Sequence, residues 1–308
     1  MSDHDRFTPT RFPVELPPFA DWRRRLLALG GSVTQVAATV VFDEMKTEVN
    51  VYEDSHLLEP QAYPWARPGR GTILAGCHRN GGEAFFLAAL LGDVPGKELR
   101  VYAKPYGLLA QGIRAVADPR RRQHSQWYAA GISQRAMAIL APVVPGKLDR
   151  TKPTDPGNIR DRLFWWLGMR QRLPDPDAIA AVNARSRKTM NDCIEQGGAG
   201  LIFPVGRIGD VAKSVWRKGI GEAVLGVNQG LREETDIVHF RFHDFSARAV
   251  AMAVLFGRKA PAEPVRLDIA RPYTAAEAIA CGGTDPVELT AYMQQRYITH
   301  FTHNNPVQ

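Results

Sequence analysis

His78 and Glu83 lie five positions apart in the stretch GCHRNGGE, residues 76–83, between an apolar strand-like run and an apolar helix-like run. A turn of this kind presents side chains at the edge of a sheet. A carboxylate placed across the start of a helix from an imidazole can fix its tautomer and stabilise the imidazolium, which frees the other ring nitrogen to take a proton from an alcohol. His78 is therefore a candidate general base and Glu83 its orienting acid. The same residues also fit a helix cap, with Asn80 as N-cap and Glu83 reaching back to its amide. Residue types alone leave both arrangements open.

A second stretch, GLIFPVGR at residues 200–207, reads as a buried strand that ends in a proline and glycine turn. Gly206 allows close backbone approach, and Arg207 offers a forked cation for a phosphate. Lys213, Arg217, Lys218 and Gly219 come next, ahead of the apolar run Ala223 to Gly226. Cys77, at a strand end, reads as a structural thiol rather than a nucleophile.

Together these segments resemble the glycerolipid acyltransferase superfamily, the lysophosphatidic acid acyltransferase-like proteins. The family's first motif, Asn-His-x-Ser-x-x-Asp, aligns with Cys77 to Glu83, and its third, Phe-Pro-Glu-Gly-Thr-Arg-Ser, with Phe203 to Gly209. The Lys-Gly found beyond the third motif corresponds to Lys218-Gly219. Its second motif falls at Gly112 to Arg120, with Arg120 or alternatively Arg114 as the phosphate ligand, and its fourth at Ile237 to Phe240, where His239 replaces a proline. The order of the four segments matches over roughly residues 45–245. Departures include Glu83 for Asp, Cys77 for Asn, Asn80 for Ser, and Val205 where the third motif carries its acid.

The resemblance implies a single α/β domain with a mixed central sheet flanked by helices, and direct acyl transfer from acyl-CoA or acyl-carrier protein to a hydroxyl of a lysophospholipid-type acceptor. His78 and Glu83 would be catalytic. Arg79, Asn80, Arg120, Phe203, Pro204, Gly206, Arg207, Lys218 and Gly219 would bind substrate, and amides near Gly81 and Gly82 could serve the oxyanion. The thioester is a co-substrate, and neither a cofactor nor a metal is implied. A thioester hydrolase, with water as acceptor, and an acyl-binding protein that has lost turnover are the alternatives.

Periodicity supplies elements that could carry these residues. Thr47 to Tyr52 alternates as a partly exposed strand. Thr72 to Ala75, Leu99 to Tyr102, Ala199 to Phe203, Ile237 to Phe242 and Val265 to Ile269 are further strand candidates. Glu83 to Leu91 reads as a compact apolar helix, and Ala180 to Gln196 as a polar helix stopped by Gly197-Gly198. Thr274 and Glu277 form a capping-box pattern, and Asp285-Pro286 opens a last helix. Residues 1–45 read as a helical N-terminal segment before an α/β domain at 46–308. The proline-rich stretch at about 121–177, which contains an apolar patch from Leu163 to Leu167, reads as an insertion.

Composition bounds the rest. The chain has 308 residues, 44% of them hydrophobic, with 39 Lys and Arg against 32 Asp and Glu, a formal charge of +7 that favours anionic partners. Three widely spaced cysteines suggest neither a disulfide framework nor a zinc site. No nucleic-acid-binding signature occurs. Leu26 to Phe42 is too short and too interrupted to span a bilayer. Phe19, Trp22, Leu26 and Leu29 share a helical face that suits either an anionic membrane surface or the protein's own core. With no signal-peptide pattern at its start, the chain is expected in the cytoplasm, peripheral to the inner membrane face.

Overall fold

The computed structural model describes residues 33–76, 83–92, 94, 97–103, 140–142, 176–205, 215–243, 245 and 263–303. The chain divides into two compact units, one of Met1–Leu29 with Tyr102–Ser186 and one of Gly30–Val101 with Arg187–Gln308. Described residues of the first unit include the short strand β5 (Leu140–Pro142) and the first turns of α3 (Pro176–Glu195). The expected insertion at 121–177 falls in that unit.

The second unit holds a mixed, mostly parallel sheet. Its strands are β1 (Val49–Glu53), β2 (His56–Leu57), β3 (Gly71–Gly76), β4 (Leu99–Ala103), β6 (Ala199–Ile202), β7 (Thr235–Phe242), β8 (Val265–Ile269) and β9 (Tyr273–Thr274). They lie in the order β2-β1-β8-β7-β3-β6-β4. The pairs β1–β8, β7–β3, β3–β6 and β6–β4 are parallel, whereas β7–β8 is antiparallel. β3 is buried along its whole length, as a central parallel strand covered on both faces must be.

β9 continues on the edge of β7 that β8 occupies. Ile269 faces Phe240 and Tyr273 faces Ile237, so three residues, Ala270 to Pro272, oppose two. This is a bulge, and Pro272 falls within it, where its missing N–H disturbs no regular ladder. β1 and β2 form a hairpin over Asp54-Ser55, both at positive φ (46° and 69°), the conformation a two-residue turn needs.

Register and ring contacts place helices on both faces. Ala75 lies beside His239, whose ring meets Trp216 and Tyr297 of α6 (Pro286–His303), while Ile194 of α3 covers Gly71 on the same face. Gly76 lies beside Phe240 on the opposite face, where Phe86 of α2 (Glu83–Gly92) meets Phe242. α1 (Val33–Ala38) packs against α2 and runs into a π-helical turn at Thr39–Glu44.

Most expected boundaries agree within two residues. The clearest difference is α3, which begins at Pro176 rather than near Ala180. Proline has no N–H to lose in the first turn, so the residue that reads as part of an irregular stretch is the helix start. The capping box at Thr274 forms with both bonds present and opens α5 (Ala275–Gly282). The Asp285 carboxylate accepts from the amides of Val287 and Glu288 and caps α6. Residues 1–32, including the amphipathic stretch near Trp22, lie outside the described residues. Among the described residues, no helix is long and apolar enough to cross a membrane.

Candidate functional site

β3 and β6 are parallel neighbours with Leu74 beside Leu201 and Ala75 beside Ile202. β3 and β6, the strands that precede His78 and Arg207 in the chain, therefore end side by side at the carboxyl edge of the sheet. β7, which contains the expected fourth segment, flanks β3 on the other side with Gly76 beside Phe240. Ligand sites of open α/β sheets sit beyond such strand ends.

Glu83 opens α2 and is fully buried, where a carboxylate gains from the positive end of the helix. Phe203 is half-buried and meets Phe240 edge-on at 6.1 Å, and Pro204 is buried. A Cβ on Gly76 would fall on the Phe240 carbonyl and ring, so only glycine permits this approach of β3 to β7 at the edge. Val205 is buried as well, so the turn after β6 sets an apolar side chain into the core where the family motif has an acid.

Lys218 and Gly219 lie next to this turn, because the Arg217 amide donates to the Pro204 carbonyl at 3.1 Å. The exposed Lys218 ammonium is held by Glu222 at 2.9 Å, one turn along α4 (Gly219–Leu225). Gly219 has open space where a Cβ would go. His78, Arg79, Asn80, Arg120, Gly206 and Arg207 lie outside the described residues.

Two features of this edge carried no sequence signal. Phe86, Phe240, Phe242 and Phe245 cluster on the Glu83 face, with ring centroids 5.2 Å apart for Phe86 and Phe245 and 5.8 Å apart for Phe242 and Phe245. Their positions span about 160 residues of chain, so only tertiary structure assembles them.

The second is a carboxylate–imidazole pair, in which His243 Nε2 lies 2.6 Å from Asp268 Oδ2. The Arg266 Nε donates to the other oxygen at 2.7 Å, and a nitrogen of the Arg241 guanidinium lies 3.5 Å away. Burial alone would raise the Asp268 carboxyl, but the hydrogen bonds from His243 and Arg266 and their charges hold it below its ordinary value. His243 precedes a region of weak periodicity and Asp268 sits mid-strand, so neither stands out in a linear reading.

His239, expected to replace a motif proline, is buried. Its Nε2 lies 2.8 Å from the Tyr273 hydroxyl, and Nδ1 has no partner in hydrogen-bonding geometry. Burial pushes its pKa down to about 3, against a weak opposing pull from the Ala75 carbonyl. The ring is therefore neutral near neutral pH.

Among the described residues, no group of His, Cys, Asp and Glu could hold a metal ion. No protein-family model matches the chain, and no curated protein matches it.

Proposed function

We propose that the protein transfers an acyl group from a thioester donor, acyl-CoA or acyl-carrier protein, to a hydroxyl of a lysophospholipid or a related phosphorylated lipid. The observation that carries this reading is the parallel, in-register adjacency of β3 and β6, which sends the segments after Gly76 and after Ile202 from one sheet edge. Glu83 supports it as a buried carboxylate at the start of the helix that comes after His78.

In this mechanism His78 removes the proton of the acceptor hydroxyl as its oxygen attacks the thioester carbonyl, while Glu83 steadies the imidazolium. The tetrahedral oxyanion collapses, the carbon–sulfur bond breaks, and the thiolate leaves. The proton on His78 then passes to the thiolate or to solvent. Arg79, Arg120 and Arg207 would meet the acceptor or donor phosphates, with Asn80, Phe203, Pro204, Gly206, Lys218 and Gly219 shaping the entrance. The positive net charge of the chain suits the anionic surface on which such acceptors are found.

The test is thiol release from an acyl-CoA panel with and without lysophospholipid acceptors. His78→Ala should lower turnover by about a hundredfold or more, and Glu83→Gln should lower turnover while leaving the folded fraction unchanged. Full activity of His78→Ala would overturn the assignment. Thiol release that ignores every acceptor would replace transfer with hydrolysis. An inert wild-type chain that still binds lysophospholipid would replace it with acyl binding, the outcome that the buried Val205 would then explain.

A further inference from the structure

On the face of the sheet opposite Glu83, a groove of about 430 Å³ runs between α6 and the bulge that joins β8 to β9. Its volume falls within the range of small-molecule sites, roughly 300–1,000 Å³. His239 and Tyr273 form the buried floor, and Arg271, Tyr292, Arg296 and His300 line the walls. No acidic side chain lines it among the described residues. Beyond the lining, Asp54 Oδ1 lies 3.8 Å from Nδ1 of His300, and Asp268 and Glu53 are near enough to act on the same imidazole.

Arg296 is held in place before any ligand arrives. Its guanidinium lies over the Tyr273 ring, 3.9 Å from the centroid, and one of its nitrogens donates to the Tyr292 hydroxyl at 3.1 Å. Tyr273 is itself fixed from below by His239. Neither Arg296 nor Arg271 has a carboxylate within ion-pair distance among the described residues. Arg271 sits in the three-residue bulge, which turns the backbone out of the regular ladder at the rim of the groove. Two guanidinium forks lining one groove without acids, one of them already ordered, offer the charge and the planar donors that a phosphate dianion accepts.

We propose that this groove binds the terminal phosphate of a small organic phosphate. A soluble nucleotide and a glycerol phosphate headgroup would present the same dianion, and they differ in the group attached to it. The proposal stands apart from acyl transfer, because the groove lies on the other face of the sheet from Glu83 and binding requires no turnover.

The experiment is calorimetric titration of the full chain with ADP, with glycerol 3-phosphate and, as a control without phosphate, with adenosine. Saturable binding of ADP or glycerol 3-phosphate is expected, with adenosine at least about tenfold weaker than ADP, as loss of charge-assisted hydrogen bonds implies. The double variant Arg271→Gln, Arg296→Gln should weaken the preferred phosphate about tenfold or more. Arg296→Lys, which keeps the charge but loses the planar fork, should fall in between. Preference for ADP would identify a nucleotide site, and preference for glycerol 3-phosphate a headgroup site. His78→Ala should bind as the wild type does, so failure of acyl transfer and failure of this proposal are separable. No saturable binding of either phosphate by the wild type, or unchanged binding by the folded double variant, would overturn it. Both arginines are exposed, and circular dichroism establishes that the variant is folded.

Discussion

The two ends of the central strands are built differently. At the amino edge of β3 and β7, Arg70 donates to both oxygens of the buried Asp236 at 3.0 and 2.7 Å, Arg67 approaches the same carboxylate, and Lys97 donates to the Arg70 carbonyl. The Asp236 carboxylate there is enclosed, with the partly exposed Arg70 bound to it and the more exposed Arg67 beyond. At the carboxyl edge, Glu83 is buried at a helix start, His243 meets Asp268, and aromatic rings gather beneath the strand exits. The amino edge closes the core, and the carboxyl edge keeps its polar groups beside segments that leave the sheet. In parallel α/β sheets this asymmetry separates stability from chemistry, because loops at the carboxyl ends can vary without disturbing the ladder.

The largest effect should come from breaking the amino edge. Asp236→Ala leaves Arg70 beside Arg67 and the half-enclosed Lys97 without their counter-charge, and should cost about 3 kcal/mol or more. Chemical denaturation measures this loss. Any acyl transfer by the remaining folded protein should be unaltered.

Breaking the carboxyl-edge pair should cost less. Asp268→Asn should destabilise by about 2 kcal/mol, because its partners His243 and Arg266 are more than a third exposed and solvent screens them. The Asp268 carboxyl is held below its ordinary value, so its contribution is present above the ordinary carboxylate range and fades as pH falls through the lowered value. Melting temperature against pH should therefore fall less steeply in acid for Asp268→Asn than for the wild type.

The most gradual effect belongs to His239. Its folded pKa of about 3 lies below its ordinary value of 6.5, so the unfolded chain binds an extra proton between those limits. The stability it contributes is complete above about 6.5 and declines by about 1.4 kcal/mol per pH unit below that. The groups that face its ring are Tyr273, Trp216 and Tyr297, with Arg296 and His300 near enough to disfavour a positive charge. In His239→Gln the decline that begins near pH 6.5 should disappear. A wild-type melting temperature that does not change from about pH 7 to 5 would contradict the buried, neutral imidazole.

Where a signal was local, the sequence carried it. Val265 to Ile269 is a strand with the expected limits, Thr274 and Glu277 exchange both bonds of the capping box, and Gly197, at φ 83°, ends α3 as a helix-stopping glycine should. Glu83 was legible as a helix-start residue because apolar periodicity begins there, but its full burial was not. His243 and Asp268 could not be paired by spacing, since 25 residues separate them and their contact depends on the antiparallel register of β7 and β8. The Arg271 and Arg296 groove is equally hidden, because it needs a bulge in one element and a helix face in another.

The sequence by itself determined which segments become strands and helices and which residues could act as base, acid or cation, because propensity, capping and periodicity are properties of neighbouring residues. Tertiary structure decided which of them meet. Strand order brings β3 beside β6 and β7, and register sets the sheet face on which each side chain lies. Both depend on contacts between residues distant in the chain, whose energies arise from burial and pairing that no local window contains.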